Sequence, residues 1–311
     1  MYDTVHFWLS RETSKGIPTK EVINSLSNIS AITNLENSRD YFRGHLDNLN
    51  VGIFESGVSV KGSISKYYLK DNFATLLFGE VKPCIEMLSD KLHLPMHKAN
   101  IHRLDIAQHF ILQHPEQVYY PLLGKSTFYR RLEQNNGVYY TNTNRQLLFY
   151  GKVHEQKKKG QLIPPLYAER SVLRYEYRFL QRLPSFFNVA NVTGALLYDL
   201  DFFCEAITKW ETEYLAIRKK RILTIELESL QTIKDFEQAL SISGLNALGG
   251  ELAIISQIDL AKQAGLFKNK MQVKRLKDKI KQLSNTPRLT SHNELILELS
   301  NKITQAVSCY Y

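Results

Sequence analysis

Three stretches of this chain place acids, a phenol and cations at two-residue intervals: IHRLDIAQHF (101–110), LLFYGK (147–152) and SVLRYEYRFL (171–180). On a strand, alternate side chains share a face. The first stretch then sets Arg103, Asp105, Ala107 and His109 together, and the third sets Arg174, Glu176 and Arg178 opposite a face of Leu173, Tyr175, Tyr177 and Phe179. In the second, Tyr150 shares a face with Lys152. Each has a plain structural reading beside the chemical one: an Arg103–Asp105 salt bridge with His109 at a sheet edge, a solvated ion-pair row around Glu176, and a half-buried strand tyrosine.

Together the three stretches supply the parts of a phosphoryl-transfer site. A tyrosine that cleaves a phosphodiester must lose its proton, while the phosphate oxygens are polarised and the leaving 3′-oxygen is stabilised. A divalent ion on Asp105, Glu176 and His109 meets the last two needs. The carboxylates suit Mg²⁺ or Mn²⁺, and the imidazole shifts preference toward Mn²⁺. Lys152 is then the cation that offsets charge on phenolate or phosphate.

The elements that must position these groups read as strands mixed with helices. TVHFWL alternates, VGIFESGVSVKGSIS reads as two strands joined at Glu-Ser-Gly, and GVYYTNTNRQLLFYGK reads as a hairpin about Thr-Asn-Thr-Asn. KPCIEMLSDKLHL has helical spacing with Pro83 in its first turn. EQKKKGQLIPP reads as a loop. The expected fold class is α+β, a largely antiparallel sheet with flanking helices, followed by a mostly helical C-terminal region. The expected domains are 1–196, catalytic, and 197–311, helical, with turns at Ser241–Gly244, Gly249–Gly250 and Ser284–Pro287.

The 311 residues carry a net charge of +9, with 43% hydrophobic and 23% charged residues. That is a globular composition whose charge favours a polyanionic partner, DNA ahead of a membrane surface. Between Lys125 and Arg182 twelve basic residues face four acids, with aromatic residues interleaved as a single-strand groove requires. Three scattered cysteines offer no zinc spacing and fit a reducing compartment. No secretory leader or spanning segment is read, so the expected location is cytoplasmic. In LFKNKMQVKRLKDKIKQ (266–282) a basic face with Lys274 and Arg275 lies beside an apolar stripe of Leu266, Val273, Leu276, Ile280 and Leu283. Preceded by DLAKQAGL, it has the rhythm of a helix-turn-helix, although a solvated packing helix explains it equally. IRKKRIL (217–223) reads as a second, solvated basic cluster.

RLDIA, LLFYGKVHE and LRYEYRFLQRL, with VSVKGSISKYYLKDN and MYDTVHFWL, resemble the replication initiators of the filamentous-phage gene II/X type, over about residues 1–183. The resemblance implies an origin-specific nickase for rolling-circle replication. Its tyrosine joins to a 5′-phosphate, leaves a 3′-hydroxyl for polymerase and later rejoins the strand. It implies Tyr150 as nucleophile, Lys152 as its companion cation, and Asp105 and Glu176 as metal ligands. His109 stands where plasmid relatives carry a second Asp. Lys61, Arg103, Arg145, Arg174 and Arg178, with Lys274 and Arg275, are the expected DNA contacts, and a host helicase and polymerase the expected partners. Tyr139 or Tyr140 is an alternative or second nucleophile. A conjugative relaxase and a non-catalytic DNA-binding regulator are the competing functions.

Overall fold

The computed structural model describes residues 1–34, 39–71, 73–223, 230–267, 269–284 and 290–308. Its centre is a ten-stranded sheet in which every neighbouring pair is antiparallel, as an α+β reading requires. The strands are β1 (Tyr2–Ser10), β2 (Ser27–Asn34), β3 (Arg39–Leu46), β4 (Leu49–Phe54), β5 (Gly57–Ser63), β6 (Asn100–Leu112), β7 (Arg130–Gln134), β8 (Gly137–Thr141), β9 (Arg145–Gly151) and β10 (Ser171–Phe179). Their order across the sheet is β2-β3-β4-β5-β1-β6-β10-β9-β8-β7. Thus β6, β10 and β9, which carry the three stretches, lie side by side, and β1 flanks β6.

Alternation decides which face is the core. Leu104, Ile106 and Phe110 of β6, Tyr175 and Tyr177 of β10, Leu147 and Phe149 of β9 and Tyr140 of β8 are all buried. Helices α1 (Thr19–Asn24), α2 (Ile64–Leu69), α3 (Phe78–Leu92), α4 (Lys152–Lys158), α5 (Pro165–Ala168), α6 (Leu183–Phe186) and α7 (Leu200–Leu215) accompany the strands. In α7, Phe203, Ala206, Ile207, Trp210 and Tyr214 recur at helical spacing and are buried. Phe149 stacks on Tyr175 at 4.4 Å, Tyr175 on Trp210 at 4.6 Å, and the Tyr175 hydroxyl donates to the Trp210 carbonyl at 2.9 Å. That column fixes α7 to the core face, so the opposite face is left for charge.

Several local expectations differ from the structure. The helix expected from Lys82 starts at Phe78, because Glu80 accepts from the Leu77 N–H and caps the first turn, which places Pro83 one turn inside. The chain leaves the sheet at Gly151, so Lys152 begins α4 instead of extending β9, and α4 occupies part of the expected loop. Ser241–Gly244 is no turn. It lies inside α8 (Ile233–Ala247), where the Ser241 hydroxyl donates back to the Glu237 carbonyl at 2.8 Å. The expected break at Gly249–Gly250 is present, both glycines having left-handed φ of +91° and +78°. The expected turn from Ser284 runs into residues outside those described.

By contacts the chain forms two compact units. The first comprises residues 1–120, 125–217 and 299–311; the second comprises 121–124 and 218–298. The sequence reading divides the chain at residue 196. Here α7 and the end of α11 (Glu294–Ser308) fall in the sheet unit, tied by Tyr214–Ser300 at 2.8 Å and Thr304–Glu211 at 2.8 Å. The second unit holds α8, α9 (Gly250–Gln263) and α10 (Lys270–Ser284) around Leu245, Ile255, Ile258, Val273 and Ile280, with a short pair β11 (Arg221–Leu223) and β12 (Thr290–His292). Of the expected α10 stripe, Val273 and Ile280 are buried and Leu283 packs against Ala239 and Ile242, whereas Leu276, and Leu266 ahead of the helix, are exposed.

Trp210→Ala would open a hole at the end of the aromatic column. Truncating a buried large aromatic costs about 3–5 kcal/mol, so a matching loss is expected in thermal or urea unfolding of the sheet unit.

Candidate phosphoryl-transfer site

Strand register assembles the site. Across β6 and β10 the pairs are Asp105–Arg178, Ala107–Glu176 and His109–Arg174. Across β10 and β9 they are Arg174–Tyr150, Glu176–Leu148 and Arg178–Gln146. Directly paired residues share a face, so Asp105, Glu176 and Tyr150 emerge together on the side away from α7. A register shift in β1 between Tyr2 and Val5 adds Asp3 to the same face.

The charges there are buried and interlocked. Asp105 is fully buried, and Glu176 and Arg174 nearly so. Arg103 grips both oxygens of Asp105, at 2.8 and 2.6 Å, so the plain structural reading of that pair holds. Arg178 Nε donates to Glu176 Oε1 at 2.6 Å and lies 3.7 Å from Asp105 Oδ2, linking the two carboxylates. Arg174 reaches Glu176 Oε2 at 3.4 Å and His109 Nε2 at 2.8 Å, and it also pairs with Asp3. Asp3 accepts from the Ser63 hydroxyl at 2.6 Å. The half-buried Tyr150 donates its phenolic proton to Glu176 Oε2 at 3.1 Å.

Proton affinities follow from this packing. Burial raises the Tyr150 phenol well above its ordinary value, Glu176 adds to the rise, and Arg174 opposes it. Burial and the neighbouring Glu176 charge push Asp105 up to about 7, against its arginines. Glu176 moves down, because Arg174 and Arg178 outweigh its burial. Arg174 and Ser63 hold Asp3 down at about 2 despite burial. Lys152 is lowered by burial and by Arg174, although its Nζ pairs with Glu155 at 3.0 Å.

The expected metal set divides. Asp105 and His109 stand four residues apart on one strand, about 13 Å at roughly 3.3 Å per residue, and the His109 Nε2 meets Arg174. Among the described residues no group of three or more His, Cys, Asp and Glu side chains is placed to hold a metal. His109 therefore does not fit as a ligand shared with Asp105. Asp105 and Glu176 share Arg178, which touches both, and Asp105 is raised chiefly by its burial, with the Glu176 charge adding to the rise.

The other sequence-selected residues are placed as follows. Arg145 pairs with Phe179 on the core face, bonding Glu213 at 3.0 Å and Tyr177 Oη at 3.2 Å, so it is turned away from the site. Tyr140 is buried against Phe149. Tyr139 pairs with Leu148 and so lies on the site face. A Cβ at Gly137 would come within 2.6 Å of the Phe149 carbonyl and 3.0 Å of Tyr150 Cβ, so a side chain there would crowd the strand that carries Tyr150. Lys61, Lys274 and Arg275 are exposed. Asp3 escaped the sequence reading; its signal, an acid among alternating apolar residues in YDTVHFWLS, becomes legible only once the register shift is known.

Asp105 provides a pH test. Its folded pKa is above its unfolded one, so its ionisation costs stability progressively from about pH 4 to 7 and fully above. In chelator-treated protein, the Tm of Asp105→Asn minus that of wild type should increase from pH 5 to 7.5. A constant difference would mean that Asp105 titrates normally.

Two comparisons with known proteins bear on identity. No curated protein matches the chain. A family model describing the N-terminal region of the gene II replication-associated protein matches residues 1–199, which span the whole ten-stranded sheet and the charged face. This chain belongs to that family of filamentous-phage gene II-type replication initiators.

Proposed function

We propose that this replication initiator nicks one strand of origin DNA with Tyr150 as nucleophile. The observation carrying the proposal is the hydrogen bond from the Tyr150 phenol to Glu176, beside Arg174, on the face that gathers Asp105 and three arginines. The phenolic oxygen attacks the phosphorus and its proton passes to Glu176 Oε2. The bond from phosphorus to the 3′-oxygen breaks, leaving the 5′-phosphate esterified to Tyr150. Lys152, whose lowered pKa eases proton release, donates to the departing 3′-oxygen. Arg174 offsets the developing charge. Polarisation of a phosphate oxygen is what Mg²⁺ or Mn²⁺ would supply when held by Asp105 and Glu176.

The liberated 3′-hydroxyl is a primer for a host polymerase, with a host helicase opening the duplex. Rejoining reverses the chemistry: a 3′-hydroxyl attacks the phosphotyrosine and Tyr150 leaves with its proton restored. Exposed Lys274 and Arg275 on α10 suit duplex contact in the second unit. Among the described residues no helix is long and apolar enough to cross a membrane.

Supercoiled plasmid bearing the cognate replication region, incubated with protein and Mg²⁺ or Mn²⁺, should yield nicked circles carrying covalent protein. Tyr150→Phe should give no adduct and keep DNA affinity, and a normal adduct from that variant removes Tyr150 from the chemistry. Glu176→Gln should slow cleavage by about 10²- to 10⁴-fold, the usual scale for a lost proton acceptor. Asp105→Ala should require more metal than wild type for half-maximal cleavage; an unchanged metal titration would exclude it as a ligand.

A further inference from the structure

The charged face continues beyond the site onto a part of the sheet that the nicking chemistry does not use. His6 of β1 pairs with Arg103 on one side and Lys61 on the other. Two residues along, Trp8 pairs with Ser59, Ser59 with Gly52, and Gly52 with Arg43. Trp8, Phe54 and Arg43 therefore lie on the face of Asp105 and Tyr150, opposite the helix-covered core.

The aromatic rings form a row. Trp8 and Phe54 are 5.8 Å apart, Phe54 and Tyr41 stack at 5.1 Å, and the Arg43 guanidinium lies 5.0 Å over the Tyr41 ring. Glycines make the floor. A Cβ at Gly52 would come within 2.9 Å of the Phe54 ring, and one at Gly57 within 2.8 Å of the Trp8 ring, so each ring rests where a side chain would stand. All three rings are half-buried, not sealed, while Arg43 and Lys61 are exposed. Burial, then His102, Lys61 and Arg103, push the His6 imidazole down to about 4, and Lys61 and Arg103 are the cations paired beside it at this end of the row.

We infer that the Trp8–Phe54–Tyr41 row, flanked by Arg43 and Lys61, is a stacking platform for single-stranded DNA that leads to Tyr150. Half-open rings offer aromatic surface on which any base can stack, and the cations follow a phosphate backbone. Continuity fixes the occupant, because the row reaches the site through Arg103, which holds Asp105. Trp8 stands three strands and nine residues from the Tyr150 row, roughly 30 Å at about 4.8 Å per strand and 3.3 Å per residue. A single strand entering the site can span that distance. Rings that merely fill the gaps above two glycines are the competing explanation. The inference rests on the nicking proposal for its direction, but not for its test.

The test uses full-length Tyr150→Phe protein, which cannot cleave, and a mixed-sequence oligodeoxynucleotide of about 15 nucleotides, within the usual site sizes. The chain has two tryptophans and Trp210 is fully buried, so quenching on binding reports Trp8. In this background Trp8→Ala and Phe54→Ala should each weaken binding by about 5- to 150-fold, the range for one stacked base. Trp8→Tyr, which keeps a ring, should restore most of it. Arg43→Gln with Lys61→Gln should lower the salt slope by about 0.7 per lost phosphate contact and keeps the test open should either alanine variant fail to fold. Folded variants that bind like the parent, no quenching, or equal losses on a matching duplex would each overturn the platform. An adduct persisting in Tyr150→Phe would displace the nucleophile alone.

Discussion

Arg174 is the contact on which the rest of this site depends. It is almost completely buried and it holds Asp3, Glu176 and His109, on β1, β10 and β6, from one guanidinium. A buried ion is costly unless paired and hydrogen-bonded, and here pairs within β10 and β6 are joined across strands by Arg174–Asp3, Arg174–His109 and Arg178–Asp105. The polar face is consequently intact only when three central strands are in register. Removing any one partner would strand the others in a dry setting, whereas a surface ion pair would relax into water.

The two faces of the sheet solve opposite problems with the same two-residue period. Toward α7, Tyr175, Phe149 and Trp210 bury aromatic area and one satisfied hydroxyl. Toward the site, Arg174, Glu176 and Arg178 occupy the alternate positions of the same strand. The rigidity of the first face gives the second its precision, since a one-residue slip would exchange the two completely. Under the proposed nicking chemistry, a phenol that meets a phosphate needs that kind of support.

Much of this was legible in the sequence because alternation is a local signal. The apolar face of β10, the hairpin of β8 and β9, and the residues that share a face with each of Asp105, Glu176 and Tyr150 on its own strand all follow from counting by two. What was not legible depends on events between strands. The register shift that brings in Asp3, the turn at Gly151 that moves Lys152 onto a helix, and the contact of the His109 Nε2 with Arg174 are three-dimensional facts. The same counting, applied to Arg145, would have put it with Leu147 and Phe149, on the core face it occupies. Net basic charge drew it into the DNA-contact set instead. The domain limits were blurred for a similar reason: α7 has helical texture like the segments after it, yet it packs with the sheet.

Apart from residues 121–124, the second unit is one stretch, residues 218–298, and the chain on either side of that stretch, α7 and the end of α11, belongs to the sheet unit. That stretch is thus an insertion in the sequence of the sheet unit, and the matched family region ends at residue 199, before the stretch begins. Such an arrangement lets evolution exchange the inserted helices for others while the strand-borne chemistry is inherited unaltered.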